Sequence, residues 1–390
     1  MSVAHGVTEQ LERASWIRRM FEEGARLKAE LGAENVCDFT LGNPDLEPPA
    51  AVLEILRRVA GESRPHSHAY MPNAGYPQVR EKVAAYLGAR TGLDYTAEDI
   101  LMTVGSAGAC NAYLRSILDP GDEVIVLMPC FSEYPFYIQN HAGRMVPVES
   151  AADFLPDVDR IASAITPRTK AIILNSPNNP TGRVYPEAVL RGLNDLLESL
   201  GHAVTVISDE PYTPIVFDGL KHPEVASIIR RTVVANSWSK TFSIPGERIG
   251  YLAISPRLEE RAALQAACTF SNRVLGFVNA PAIWQWVIGE ALDVPIDVRE
   301  YQTRRDRMCD TLARMGYEVS RPEGTFYIFP KTPIPDDIAF VRLLAQEGVL
   351  GVPGAGFGRS GYFRLSLTVP MDTIERSVAG FERAMARARQ

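Results

Sequence analysis

Five short, continuous apolar runs constrain what this chain can fold into: residues 123–128, 171–174, 204–207, 232–235 and 249–254. Turn residues bound each run, and helical stretches such as 186–200 lie between them. A strand that is apolar on both faces must be covered on both. Runs of this kind alternating with helices therefore predict an α/β fold with a mostly parallel central sheet flanked by helices. In such sheets ligands bind beyond the carboxyl ends of the strands, so the polar residues that follow each run are candidates for one shared site.

The flanks of this region differ in character. Residues 7–31 form a polar amphipathic helical pattern, and Pro44, Pro48 and Pro49 then break the chain into a loop. Residues 75–90 predict a second amphipathic helix with Val79, Val83, Ala84 and Leu87 on one face. Toward the C-terminus a helix over 301–314 precedes short strands over 325–329 and 362–367. These flank a helix over 336–346, and a last helix follows Pro370. A chain of 390 residues is too long for one small core. We expect a large α/β domain over 46–285 and a smaller α+β domain built from 1–45 plus 286–390.

Composition removes several function classes. The net charge is −7 and no block of Lys and Arg occurs, which argues against a nucleic-acid binder working through a basic patch. No apolar stretch approaches the roughly 18 residues that span a bilayer. The N-terminal residues carry no signal-peptide pattern. The five cysteines, Cys37, Cys110, Cys130, Cys268 and Cys309, are scattered and include no C-x-x-C pair, as in a reduced, cytoplasmic protein. His66 and His68 lie two apart with nothing nearby to complete a ligand set, and no H-E-x-x-H occurs, so no metal site is expected.

The strand ends carry the chemistry. Asn175-Ser176-Pro177-Asn178-Asn179-Pro180-Thr181-Gly182 follows one run, Ser208-Asp209-Glu210-Pro211-Tyr212 the next, and Ser237-Trp238-Ser239-Lys240 the one after. A lysine at the end of a buried strand either holds its amine in solvent or is desolvated. Desolvation lowers its pKa and makes it nucleophilic toward an aldehyde. Pyridoxal phosphate needs such a lysine, a carboxylate to keep its ring nitrogen protonated, and donors for its phenolic oxygen. It also needs a helix N-terminus and an arginine for its phosphate. Val104-Gly105-Ser106-Ala107-Gly108-Ala109 opens a predicted helix whose small residues admit a phosphate to the backbone.

In order along the chain come Tyr70-Met71-Pro72-Asn73-Ala74-Gly75-Tyr76 with Val79-Arg80, and the glycine turn at 105–108. Asn178 to Gly182, Asp209-Glu210-Pro211-Tyr212 and Ser237-x-Ser239-Lys240 follow. Gly246-x-Arg248-x-Gly250, Pro353-Gly354 and Phe363-Arg364-Leu365-Ser366 complete the set. On this ordered set the chain resembles the class I/II aminotransferases, fold-type I pyridoxal phosphate enzymes of the aspartate aminotransferase superfamily, over nearly its whole length.

The resemblance implies roles residue by residue. Lys240 would hold the cofactor covalently and shuttle a proton. Asp209 would pair with the ring nitrogen, and Tyr212 and Asn179 would bond the phenolic oxygen. Ser106, Ala107, Ser237 and Arg248 would hold the phosphate, and Phe131 would stack on the ring. Arg364 would clamp the substrate α-carboxylate bidentately, as a lysine could not, and Gly42 would contact the substrate through its backbone. Tyr70 would reach the phosphate of a neighbouring subunit, which implies a homodimer. The activity implied is amino transfer from an L-amino acid of aspartate, alanine or aromatic type to a 2-oxo acid such as 2-oxoglutarate. A β-lyase, or an oxidative or decarboxylating reaction on the same fold, is the alternative. Outside the resemblance, a dicarboxylate side chain needs a second cation, for which Arg273 or the pair Arg18 and Arg19 are candidates against the more ordinary reading of a solvated face; Phe277, Tyr76 and Trp16 could equally line an apolar pocket.

Overall fold

A seven-stranded sheet organises the computed structural model, in the order β2-β8-β7-β6-β5-β3-β4. The structure describes residues 2–13, 24, 26–30, 32–65 and 67–390. Its strands in chain order are β1 (Cys37–Asp38), β2 (Ile100–Thr103), β3 (Glu123–Met128), β4 (Arg144–Glu149), β5 (Thr169–Asn175) and β6 (Thr205–Asp209). Then come β7 (Thr232–Ser237), β8 (Gly250–Ile254), β9 (Tyr327–Ile328), β10 (Val349–Leu350), β11 (Val352–Pro353) and β12 (Phe363–Ser366). In the large sheet only β8 runs against its neighbours, pairing antiparallel with both β7 and β2. All five apolar runs lie in this sheet.

Two of its strands had no counterpart in the sequence pattern. β2 is a four-residue segment whose partner lies far downstream. β4 is an edge strand with Pro147 inside it and mostly incomplete burial. β2 is apolar and buried throughout but only four residues long; β4 lacks the continuous apolar run that marks a central strand, and an edge is where proline is tolerated.

The helices are α1 (His5–Arg13), α2 (Ala50–Gly61), α3 (Pro77–Thr91), α4 (Gly105–Ile117), α5 (Tyr134–Gln139), α6 (Val158–Ala164) and α7 (Glu187–Glu198). They continue with α8 (Val225–Ile228), α9 (Arg261–Val274), α10 (Ala282–Ala291), α11 (Arg299–Arg314), α12 (Asp337–Gln346) and α13 (Met371–Ala388). Of the helical pattern over 7–31, residues 14–23, which include Trp16, Arg18 and Arg19, lie outside the described residues, as does His66.

Alternation along each strand sends its apolar side chains to opposite layers. Val124 and Val126 join Ala109, Tyr113 and Leu114 of α4 and Cys268 of α9 in one core. Ile125 and Leu127 join Leu190, Leu193 and Leu197 of α7 in another. A third core packs Met102 and Tyr251 against Val83 of α3 and Trp284 and Ile288 of α10. Residue 285 falls inside α10, which packs on α2 and α3.

β11-β12-β9 form a separate antiparallel sheet, and β1 pairs in parallel with β10. Their core draws Met308 and Leu312 from α11, Phe340 and Leu344 from α12, and Phe381 from α13. β1 is followed directly by the loop bearing Gly42, so this second layer meets the ends of the large sheet at the cavity described next.

Candidate active site

Parallel β5, β6 and β7 end side by side, and their last residues and the turns beyond line a cavity of about 170 Å³. Ser106, Ala107, Phe131, Asn179, Asp209, Tyr212, Ser237, Lys240 and Arg248 all lie in its wall. These nine come from six separate segments of the chain, and the sheet alone brings them together.

Lys240 follows the buried Trp238 just past β7. Its Nζ donates to the Gly42 carbonyl at 2.7 Å and sits 5.9 Å from the centre of the Phe326 ring. Burial, with the positive charges of Arg364 and Arg248 beside it, lowers its pKa to about 8. An amine in this state holds a far larger neutral fraction near physiological pH than an exposed lysine and can act as a nucleophile and a base.

Asp209 is the last residue of β6 and is buried. One carboxylate oxygen, Oδ2, accepts a 2.6 Å hydrogen bond from the Tyr134 hydroxyl. The other, Oδ1, is buried with no hydrogen-bond partner among the described residues. Burial raises its pKa to about 6, opposed by the Tyr134 bond and by the Ser106 hydroxyl nearby. Above that value the site holds a buried carboxylate with one oxygen unsatisfied, which calls for a positively charged donor from a ligand.

The turn after β5 is fixed by its own asparagines. Asn175 donates to the Asp209 carbonyl at 2.9 Å and accepts from the Asn179 N–H at 2.8 Å. Asn178 Oδ1 accepts from both the N–H and the hydroxyl of Thr181. Asn179 is thereby held at the cavity with its Oδ1 accepting from Arg364 Nη1 at 3.1 Å. Its side-chain NH₂ is left as a donor.

α4 begins at Gly105 with no side chain capping its N-terminus, which leaves N–H groups of its first turn free to receive an anion. Gly105 adopts φ +82°, and a Cβ there would meet the Arg248 guanidinium. Arg248 itself takes the left-handed conformation and donates to the carbonyls of Val104 and Pro245 at 2.8 and 3.0 Å. Gly250 lets this corner close, because a Cβ on it would overlap the Asn236 carbonyl and the Gly105 backbone.

Arg364 enters from β12 and is buried. Its Nη2 donates to the Thr40 carbonyl at 2.8 Å. The guanidinium lies between the Tyr327 and Phe357 rings, 4.5 and 4.6 Å from their centres, and its Nε has no partner. Gly42 faces it from the N-terminal loop, where a Cβ would overlap the Tyr327 hydroxyl. The Tyr212 hydroxyl is 3.3 Å from that of Tyr327. Phe131 touches Tyr134 edge-on at 5.6 Å between ring centres.

Tyr70 does not join this cavity. It is 94% exposed and lines a separate hollow with His68, Met71 and Phe277. Arg273 is exposed and lies over the Phe270 ring, and Tyr76 stacks on Trp286 at 4.5 Å. Neither is in the cavity wall. Conversely, Tyr134, Tyr137, Asn175 and Ser239 line the cavity and Tyr327 meets its Tyr212; in the sequence Asn175 and Ser239 figure only within motifs, without roles, and the three tyrosines are passed over. Tyr134 starts α5 three residues after Phe131, and that proximity in sequence is the signal that could have marked it.

These groups suit pyridoxal phosphate: a low-pKa amine, a buried carboxylate with a free oxygen, and an uncapped helix start beside an arginine. The geometry defines the class as a fold-type I pyridoxal phosphate enzyme. The family of aminotransferases class I and II matches residues 34–381. The aspartate/prephenate aminotransferase of Thermus thermophilus is 35% identical over 362 residues, 90% of this chain and 91% of that one. A solved amino transferase of Eubacterium rectale superposes with TM-score 0.96 at 34% identity, covering 100% of both chains. Thermus thermophilus aspartate aminotransferase with maleate gives TM-score 0.86 at 32% identity, covering 95% of this chain and 96% of that one. The chain belongs to the class I and II aminotransferases and is a pyridoxal phosphate-dependent transaminase acting on an amino acid and a 2-oxo acid.

Proposed function

We propose that Lys240 is the covalent anchor and the proton carrier of this transaminase, and that Arg364 receives the substrate α-carboxylate. The observation that carries the reading is the largely desolvated Lys240 amine. It is lowered to about 8 and shares one cavity with a half-satisfied Asp209 carboxylate. When bound, pyridoxal phosphate supplies an aldehyde that condenses with amines and a ring that draws electrons from the substrate Cα.

The protein's own groups do the rest. Asp209, ionised above about 6, presents Oδ1 to a protonated ring nitrogen. Tyr212 and the NH₂ of Asn179 donate to the phenolic oxygen. The Ser106 and Ala107 N–H groups, the Ser237 hydroxyl and Arg248 hold the phosphate, and Phe131 packs on the ring. As a free amine, Lys240 Nζ would take the proton from the substrate Cα and hold it on nitrogen until it is given back to the substrate–cofactor carbon skeleton. Arg364, braced by Asn179 and Thr40, and the Gly42 backbone orient the amino acid. Its planar fork gives a carboxylate two parallel bonds.

The amino donor we propose is of aspartate, alanine or aromatic type, with 2-oxoglutarate as acceptor. The names of the Thermus thermophilus relatives support the first of these. Phe131 and Tyr137 in the cavity wall support the aromatic kind. Donor by donor, the purified enzyme with 2-oxoglutarate is expected to give glutamate through repeated turnovers. Catalytic release of pyruvate and ammonia would replace transamination by lyase chemistry, and arrest after one turnover would refute the two-substrate cycle.

We further propose a homodimer in which Tyr70 completes the neighbouring site. Its full exposure, with Phe270 and Val274 also exposed, supports such a face. Residues 46–285 would form the large domain, and 1–45 with 286–390 the small one. Five free, buried cysteines support a reducing, cytoplasmic setting.

A further inference from the structure

Tyr327 touches three of the groups just given roles, and none of those roles accounts for it. Its ring supports the Arg364 guanidinium at 4.5 Å. Its hydroxyl meets that of Tyr212 at 3.3 Å. The same hydroxyl occupies the space beside Gly42 that any side chain there would need, and the Gly42 carbonyl accepts from Lys240.

Tyr327 is itself held rigidly. It is a strand residue of β9 paired with Ser366 of β12, two positions along from Arg364. Its N–H donates to Thr325 Oγ1 at 3.1 Å. It is buried and packs edge-on against Tyr212 at 5.9 Å between ring centres.

We propose that Tyr327 is a positioning residue with two separable parts, a ring that sets the Arg364 clamp and a hydroxyl that polarises Tyr212. The ring gives a cation a fixed electrostatic face, so that Nη1 and Nη2 are aimed edge-on at Asn179 and Thr40 and the guanidinium edge keeps further N–H donors for a carboxylate. The hydroxyl, bonded to Tyr212, strengthens whatever bond Tyr212 makes with its other side, because linked hydroxyls polarise one another. The close fit against Gly42 ties the Lys240 acceptor to the same tyrosine.

This inference rests on the roles proposed above for Arg364 and Tyr212. The holoenzymes of wild type, Tyr327→Phe, Tyr327→Leu and Arg364→Lys are to be compared by KM and kcat, maleate dissociation constant, and pH midpoint of the cofactor's visible band. Losing the ring in Tyr327→Leu is expected to raise KM and the maleate constant about tenfold while kcat changes less. Tyr327→Phe keeps the ring, and its maleate constant is expected to stay within about threefold of wild type. Without its hydroxyl, Tyr212 stabilises the phenolate less, so the band's pH midpoint moves upward by roughly half a unit.

An unmoved midpoint in Tyr327→Phe, or a loss of kcat with unchanged maleate binding in Tyr327→Leu, overturns the proposal. Should the leucine variant fail to fold, the midpoint of the phenylalanine variant still decides. Weak maleate binding in Arg364→Lys with wild-type binding in Tyr327→Leu refutes the Tyr327 role alone. Unchanged binding in both removes the Arg364 clamp as well.

Discussion

Removing one hydroxyl, in Tyr134→Phe, tests how the buried carboxylate is kept charged. The hydroxyl donates to Asp209 Oδ2 at 2.6 Å, and the phenol is 1% exposed. A buried hydrogen bond to a charged group is worth about 1.5–3 kcal/mol, or roughly one to two pKa units. Asp209, raised to about 6 in the intact protein, would then titrate near 7 to 8. The ionised carboxylate is the form that binds a protonated ring nitrogen, so cofactor affinity falls as pH drops through the Asp209 pKa. At pH 7 the ionised fraction falls from about nine-tenths to between half and a tenth. The apparent dissociation constant of the apoprotein for pyridoxal phosphate should therefore rise roughly two- to tenfold. The two proteins should converge above about pH 9, where Asp209 is ionised in both. Fluorescence titration of the apoproteins between about pH 5.5 and 9.5 measures this. A ratio of constants that is flat across the range, or equal to one, refutes the reasoning.

Three further outcomes are expected. With Lys240 at about 8, about a tenth of the amine is neutral at pH 7, against roughly one part in three thousand for an exposed lysine. Covalent cofactor loading should rise with pH and level off above about 9, and a rate still climbing tenfold per unit at pH 10 would contradict the lowered pKa; Lys240→Ala should show no borohydride-trapped adduct by mass. Gly250→Ala forces a methyl against the Asn236 carbonyl and the Gly105 backbone, and urea unfolding should show a loss of about 1–3 kcal/mol. Tyr70→Phe should weaken cofactor retention in a dimer of unchanged mass, and an unaltered affinity would remove Tyr70 from the neighbouring site.

The five central strands were legible because burial on both faces leaves an uninterrupted apolar run. The residues at their carboxyl ends were legible because each lies within a contiguous motif such as Ser237-x-Ser239-Lys240. Arg364 and Gly42 lie far from those strands in sequence, and only the family resemblance attached them to the site. Tyr134 was not legible, since its partner Asp209 is 75 residues away and a tyrosine in a short helix carries no mark of what it bonds. Tyr327 was hidden in the same way, as one aromatic among several in an apolar segment. Arg273 shows the converse: a cation near the right part of the sequence, turned by its helix toward Phe270 and away from the cavity.

The antiparallel β8 has a consequence for synthesis of the chain. β2 sits at the sheet edge and, among the described residues, its strand partner is β8 alone, so a four-residue segment buried at every position has no strand to pair with until about 150 further residues have been made. At ribosomal speeds of about 5–20 residues per second the wait is roughly 7 to 30 s. Gly250, which starts β8, is also the residue that closes the corner of Gly105 and Arg248. The nascent chain therefore carries an open apolar edge and an unfinished anion cradle over the same interval, and both are resolved by one event. Cofactor capture can thus serve as a reporter that this last strand has inserted, and variants that delay β8 should aggregate during translation before they lose any affinity once folded.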